Sequence, residues 1–99
     1  MKLVLLIVDN GGLRQRLELQ QAEIAIGRGT RNDIVLRDAD VARQHCMLYW
    51  QGEKLFVKDL KSTGGIMLEG RRIVGPTQLQ PGDALRMGRH VVSIESLGP

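Results

Sequence analysis

The chain has 99 residues, of which 42% are hydrophobic and 25% are charged, values typical of one folded domain with a modest core and unlike those of disordered chains. One cysteine excludes an intrachain disulfide, and three aromatic residues argue against a platform for stacked nucleic-acid bases. The formal charge is +3, and ten of the fourteen basic residues are arginines. This bias mildly favours an anionic ligand, although an ordinary solvated basic surface is the simpler interpretation.

The first apolar run, Leu3–Val8, ends at Asp9. Six residues are too few for a membrane span or for the hydrophobic core of a signal peptide, and no small-residue cleavage site follows. We therefore predict a buried first strand and a cytoplasmic location. Because Met1 looks like a native start, we expect the chain to be the N-terminal module of a longer protein.

Turn-forming residues recur about every eight to twelve positions, a spacing typical of β sandwiches and barrels. No window of eleven or more residues carries a clean helical stripe. The predicted fold is therefore all-β, in a single domain over residues 1–99. The predicted strands are Leu3–Val8, Leu13–Leu19, Glu23–Ile26, Ile34–Leu36, Cys46–Gln51, Leu55–Leu60, Ile66–Leu68, Arg72–Val74, Ala84–Met87 and Val91–Glu95.

Two turn sequences predict parts of the topology. Asn10-Gly11-Gly12 is a strong hairpin signal, so Leu3–Val8 and Leu13–Leu19 are predicted to pair. Pro81 and Gly82 match the two central positions of a type II turn. That turn would lead into the last pair of strands.

The residues that could carry catalysis do not form a convincing set. Cys46 follows His45 at the start of an apolar segment, so a buried, inert thiol is a better interpretation than a nucleophile. One cysteine and two histidines at unrelated spacings do not make a metal site. No paired carboxylates, nucleophile elbow or glycine-rich phosphate loop before a helix occurs. We therefore expect neither enzymatic activity nor a metal or cofactor.

The segment Gly27–Cys46 holds the most informative polar residues. Arg28 and Arg43 lie in two polar stretches that flank the short strand Ile34–Leu36. Arginines in loops beside a β scaffold are typical of an anion-binding site.

Seven short motifs follow one another along the chain: Ile26–Arg28, Asn32–Leu36, Val41–Cys46, Val57–Gly65, Gly70–Ile73, Leu79–Asp83 and Met87–Gly88. Each motif alone is weak, but seven in this order and spacing are specific. Their succession resembles the forkhead-associated (FHA) domain, a phosphothreonine-recognition module. The family pattern is roughly GR, ND-I-x-L, V-S-R-x-H-A, D-L-x-S-T-N-G-T, N-G, L-x-x-G-D and I-G.

The resemblance implies an FHA/SMAD-like sandwich of two mostly antiparallel sheets with about eleven strands. Loops at one end of the sandwich would bind phosphothreonine and the residue three positions after it. His45 would brace these loops by hydrogen bonding to backbone rather than contact the ligand. The residues implied at the phosphopeptide are Arg28, Arg31, Arg43, Thr63 and Gly64. The residues implied to brace the loops are Gly27, His45, Asp59, Leu60 and Ser62.

Three positions in the binding loops depart from the family pattern. Ala42 replaces the phosphate-binding serine, Gly64 replaces the asparagine that orders the peptide backbone, and Ile66 replaces the following threonine. A hydrogen bond to a charged group contributes about 1.5–3 kcal/mol, so the missing serine alone costs about ten- to a hundredfold in affinity. Glu69 also replaces the asparagine of the N-G hairpin, a change at the level of the turn.

The sequence is therefore compatible with two functions. In the first, the domain binds a phosphothreonine-containing protein segment with a weakened grip, and the backbone N–H groups of Gly64 and Gly65 compensate as an anion nest. In the second, the site has lost its dependence on phosphate. The domain is then a scaffold or assembly module that binds an unphosphorylated protein partner.

Other interpretations of the arginines rest on charge alone. Nearby carboxylates would hold Arg28 and Arg43 in place as loop braces, and other arginines would bind nucleic acid. No basic stripe typical of duplex binding is visible, so we expect no nucleic-acid partner and no membrane insertion. The carboxylates concerned are Asp33, Asp38 and Asp40. The nucleic-acid candidates are Arg71, Arg72, Arg86 and Arg89.

Overall fold

The computed structural model describes residues 1–99 and contains eleven strands. It holds no helix that would reach across a bilayer. The strands are β1 (Lys2–Val8), β2 (Arg14–Leu19), β3 (Glu23–Gly27), β4 (Ile34–Val35), β5 (Cys46–Gln51), β6 (Lys54–Asp59), β7 (Met67–Leu68), β8 (Arg71–Arg72), β9 (Thr77–Leu79), β10 (Ala84–Met87) and β11 (His90–Gly98).

The strands form two sheets, as the family resemblance implied. One sheet has six strands in the order β2-β1-β11-β10-β7-β8, and the other has five in the order β4-β3-β5-β6-β9. Every pairing is antiparallel except that of β3 with β4. The prediction of an all-β sandwich with mostly antiparallel sheets is confirmed.

The core lies between the two sheets because apolar side chains alternate along the central strands. In β1, Leu3, Leu5 and Ile7 point into a cluster of 18 buried apolar residues, as expected when every second side chain of a strand faces the same way. In the opposite sheet, Leu48 and Val57 are fully buried and sit at paired positions of β5 and β6. Burial of these inner faces is the main stabilising term for a sandwich of this size.

Ten of the eleven strands lie where the sequence predicted them, apart from shifts at their ends. The predicted first hairpin is confirmed, since β1 and β2 pair from Leu3 opposite Leu19 to Val8 opposite Arg14. The predicted type II turn is also confirmed: Asp83 N–H donates to Gln80 O at 3.0 Å, and Gly82 has a φ of 97°.

Strand β9, Thr77–Leu79, escaped prediction. It is three residues long and has a single buried side chain, that of Leu79. Too few residues alternate for a strand pattern to show in the sequence. Pairing of Leu79 with Leu55 on β6 defines the strand, and that contact is visible only in the folded chain.

The turn between β7 and β8 contains the glutamate that departs from the family hairpin. Glu69 and Gly70 have φ values of 52° and 76°, and a turn with two positive φ angles favours asparagine at its first position. We expect Glu69→Asn to raise the free energy of unfolding by about 1 kcal/mol, because the left-handed conformation strains glutamate more than asparagine.

Urea denaturation of the two proteins measures this difference. Glu53→Asn is the matched control, since Glu53 occupies another two-residue turn, between β5 and β6, without a positive φ. An equal gain in both variants would show that strain at Glu69 is not the cause.

Candidate functional site

The loops that carry the predicted site residues meet at one end of the sandwich. Arg28 N–H donates to Ala42 O at 2.9 Å, and Gly29 N–H donates to Arg43 O at 3.0 Å. These bonds join the loop after β3 to the loop before β5. The two loops therefore act as one unit.

His45 ties this unit to the loop between β6 and β7. Its side chain is fully buried, Nδ1 accepts the Ala42 N–H at 3.0 Å, and Nε2 lies 2.8 Å from Gly65 O. Since Nδ1 accepts, Nε2 carries the proton and donates to the carbonyl. Both ring nitrogens are thus engaged with backbone and none is left for a ligand.

The loop between β6 and β7 is held by its own side chains. Asp59 Oδ1 accepts the Ser62 N–H, and Ser62 Oγ accepts the Gly65 N–H, both at 3.0 Å. The Gly65 N–H is therefore already used, so the prediction that Gly64 and Gly65 together form an anion nest is wrong. The N–H groups of Thr63 and Gly64 have no acceptor within the chain.

Asn32 is a bracing residue to which the sequence analysis gave no role. Its Nδ2 donates to Gly29 O at 2.7 Å and to Arg43 O at 2.8 Å. The two carbonyls lie in different loops, so one amide holds both of them. Gly27 lies buried beside this amide. The only signal in the sequence was the position of Asn32 in the Asn-Asp motif.

Asp38 fixes the loop before β5 to the turn between β10 and β11. Its carboxylate accepts the Arg89 N–H at 2.7 Å and the Asp40 N–H at 2.9 Å, and it lies 3.1 Å from His90 Nδ1. The bond from the Arg89 N–H, with smaller contributions from Asp40 and His90, lowers the pKa of Asp38 although burial opposes the shift. The carboxylate therefore stabilises the fold at neutral pH, and this contribution is lost only in acid.

A first groove of about 580 Å³ runs between these loops. It brings together Arg28, Thr63 and Gly64 of the predicted site with the half-buried Ala42, where the family pattern has serine. The residues that line it are Arg28, Ala39, Asp40, Val41, Ala42, Thr63, Gly64, Gly65, Met67, Arg86 and Gly88.

A second groove of about 610 Å³ takes the other predicted arginines. Arg31 and Arg43 line it, its apolar surface comes from Ala25, Met47 and Leu60, and Arg28 belongs to both grooves. The full set is Ala25, Arg28, Gly29, Thr30, Arg31, Asn32, Arg43, Gln44, Met47 and Leu60. The structure therefore divides the predicted phosphopeptide residues between two grooves that share Arg28.

The arginines of these grooves have no carboxylate partner. The four ion pairs of the chain leave out Arg28, Arg31 and Arg43. Arg28 Nε donates to Val41 O at 3.1 Å, which orients the guanidinium and leaves its two terminal nitrogens without a partner in the chain. A guanidinium oriented in this way can bind a ligand that has two acceptor oxygens.

The aspartates proposed as partners of these arginines hold other groups. Asp33 accepts the Ala25 N–H at 2.8 Å, Asp40 pairs with Arg89 at 3.7 Å, and Asp38 is engaged as described above. The interpretation of Arg28 and Arg43 as loop braces paired with these aspartates is therefore wrong.

The interpretation of Cys46 as a buried thiol is confirmed. The side chain is fully buried, with Sγ 4.0 Å from Met87 Sδ. Burial, together with the nearby negative charge of Asp59, raises the pKa of the thiol to about 12. Since the thiolate is the reactive form, this cysteine is unreactive at neutral pH.

Comparison with known proteins agrees with the fold and the loop geometry. The family model described as the FHA domain matches residues 24–88. The chain belongs to the FHA family.

Named relatives come from mycobacteria. The transcriptional regulatory protein EmbR of Mycobacterium tuberculosis is 38% identical over 72 residues, which is 73% of this chain and 19% of EmbR. The chain thus spans about a fifth of that relative. A structure of EmbR in complex with a low-affinity phosphopeptide superposes with a TM-score of 0.82 at 33% identity, covering 97% of this chain and 25% of EmbR.

A further solved structure covers the whole of both chains. It comes from work on phosphothreonine-dependent FHA domain interactions, with a TM-score of 0.86 and 27% identity. The fold is therefore that of the FHA family over its full length.

Proposed function

We propose that this FHA domain binds a phosphothreonine-containing segment of another protein across its loop end, with the phosphate at Arg28. The observation that carries the proposal is the guanidinium of Arg28, which is oriented by Val41 O, has no carboxylate partner and lines both grooves. A dianionic phosphate offers it bidentate, charge-assisted hydrogen bonds. EmbR, which binds a phosphopeptide in its described complex, supports the same chemistry here.

The remaining donors surround this position. Thr63 and Gly64 line the first groove together with Arg28, so the Thr63 hydroxyl and the free N–H groups of Thr63 and Gly64 are the further donors for the phosphate. Arg43 and Arg31 contact the phosphate or the peptide from the second groove. The rest of the segment lies on the apolar surface of Met47 and Leu60.

Binding without phosphate is the second candidate function, and two groups in the first groove favour it. Ala42 presents a methyl group where a hydroxyl would contact phosphate, and the exposed carboxylate of Asp40 lines the same groove. Both weaken the attraction for a dianion. The expected cytoplasmic location and the place of the domain in a longer protein stay predictions.

Calorimetric titration with matched phosphothreonine and unphosphorylated peptide libraries separates the two functions. Binding that requires the phosphate supports the proposal. Equal affinity for both forms of the same peptides contradicts it and favours the scaffold function. Titration with free inorganic phosphate shows how much of the affinity comes from the anion alone.

Restoring the family serine is expected to strengthen phosphopeptide binding. Ala42 O accepts the Arg28 N–H, Ala42 N–H donates to the His45 ring, and the residue lines the first groove, so we expect a hydroxyl at this position to contact the phosphate. We expect Ala42→Ser to raise the affinity about tenfold or more. Ala39→Ser, at an exposed position of the same groove, is the matched control. An unchanged affinity in Ala42→Ser would show that the phosphate does not bind beside residue 42.

A further inference from the structure

One row of side chains crosses the outer face of the six-stranded sheet from edge to edge. Neighbouring strands place Arg14 opposite Val8, Val8 opposite Val91, Val91 opposite Arg86, Arg86 opposite Met67, and Met67 opposite Arg72. Directly opposite residues of paired strands lie on the same face. The arginine row is therefore Arg14, Val8, Val91, Arg86, Met67 and Arg72.

The arginines of the row form no ion pair within the chain, and one carboxylate, that of Glu69, lines a cavity on the same face that Arg86 also lines. Arg14, Arg72 and Arg86 are exposed and take part in none of the ion pairs of the chain. The two glutamates on β2 and β11, by contrast, already pair with Lys2 and Arg16. Between the arginines lie half-buried apolar side chains. The surface is thus cationic and apolar together.

The arginine row continues from the first groove. A cavity of about 320 Å³ on this face shares Met67 and Arg86 with the first groove and extends to Val91. At the Arg72 end of the row, a Cβ built on Gly65 would lie 2.5 Å from Arg72 Nε. The Arg72 guanidinium therefore rests against the loop that forms a wall of the groove. The first groove and the row therefore share Met67 and Arg86, so a chain lying in the groove ends beside the row.

We propose that the arginine row is a second docking surface, which takes an acidic segment adjacent to the phosphothreonine of the same partner. The occupant follows from charge complementarity: three free guanidiniums select carboxylates, while the apolar side chains between them take the stems or apolar neighbours of those carboxylates. Six strands spaced about 4.8 Å apart span about 24 Å, which an extended segment of about seven residues covers.

This surface offsets the weak phosphate grip. The missing hydroxyl at Ala42 lowers the affinity for the phosphothreonine itself. An acidic extension on the same peptide adds binding energy at the arginine row, because the second contact is intramolecular once the first is made. The proposal that the occupant belongs to a phosphothreonine partner rests on the proposed function. The alignment of the arginines in the row does not depend on that function.

Two families of synthetic peptides test the proposal by calorimetry. The short probe is a phosphothreonine nonapeptide selected from the library, and the long probes carry six added glutamates after a Gly-Ser spacer at either terminus. We expect one long probe to bind at least about fivefold more tightly than the short one at low salt, with the gain lost at high salt. Equal binding of the short and long probes overturns the proposal and leaves the proposed function intact.

The variant Arg14→Glu tests whether the added affinity of the long probe comes from the arginine row. Arg14 is exposed and lies at the end of the row farthest from the β7–β8 edge. The variant is expected to lose most of the gain of the long probe and to bind the short probe unchanged. Lys54→Glu, the same charge reversal on the other sheet, is expected to keep the gain. Equal loss in both variants would show a general charge effect and overturn the assignment.

Two further outcomes are decisive. If the short probe does not bind, the proposed function fails. The unphosphorylated long probes then test the arginine row alone. Binding of these probes that Arg14→Glu abolishes supports the row as a docking surface, and no binding overturns it. If random-sequence duplex DNA binds more tightly than the long probe at equal charge concentration and Arg14→Glu abolishes that binding, the row is a nucleic-acid surface and the proposal is wrong.

Discussion

Replacement of Arg28 by alanine is expected to lower the affinity for a phosphothreonine peptide about a hundredfold or more. Arg28 is the one residue common to both grooves, and no carboxylate of the chain neutralises it. Each charge-assisted hydrogen bond contributes about 1.5–3 kcal/mol, so the loss of a bidentate contact exceeds about 3 kcal/mol. Calorimetry at fixed ionic strength measures the change.

Two controls separate loss of contact from loss of charge or fold. Lys54→Ala removes one positive charge from the opposite end of the β5–β6 hairpin and is expected to leave the affinity within about twofold. Arg28→Lys keeps the charge but cannot form the bidentate contact, so we expect an intermediate affinity. Thermal unfolding shows whether loss of the bond to Val41 O has loosened the loops. An Arg28→Ala protein that is folded and binds normally would contradict the proposed function.

Replacement of Gly27 by alanine is expected to destabilise the domain by about 3 kcal/mol, at the upper end for overpacking of a dense site. A Cβ at this position would lie 2.3 Å from Arg43 O, 2.9 Å from Arg43 C and 2.8 Å from Asn32 Nδ2. Two of these atoms belong to backbone, so the side chains cannot simply turn away. The loop before β5 must move, and the bonds that position Arg28 and Arg43 are lost with it.

Urea denaturation and phosphopeptide titration together test this prediction. Gly11→Ala is the matched control, because its Cβ would meet only Asp9 Oδ1 at an ordinary 3.5 Å and its φ is not positive. We expect that variant to change the free energy of unfolding by less than about 1 kcal/mol. Similar stability of the two variants would show that the loop before β5 yields to a methyl group at residue 27.

The strand pattern could be predicted from the sequence because it is local. Alternation in Leu3–Val8 and the turn residues Asn10 to Gly12 act within a few positions of each other, so the first hairpin was predicted correctly. Strand β9 was missed because its position depends on the distant strand β6 and not on its own residues. The order of the motifs predicted the family, which the match over residues 24–88 confirms.

The site was predicted less completely because side-chain partners come from separate loops. The family resemblance implied one site for the arginines and Thr63, whereas the structure divides Arg31 and Arg43 from Thr63 and gives Arg28 to both grooves. The predicted anion nest included the Gly65 N–H, although that donor is taken by Ser62 Oγ. Which donor is free depends on loop conformation, and composition does not encode it.

Alternation, turn chemistry and motif order thus determined by themselves that the chain is an all-β FHA domain with Ala42 where the family pattern has serine. Only the tertiary structure decided which arginines are free of carboxylates and which share a groove. It also placed Arg14 and Arg72 in one row although 58 positions of sequence separate them. The physical reason is register: pairing of six strands aligns side chains across the sheet, and no local pattern records that alignment.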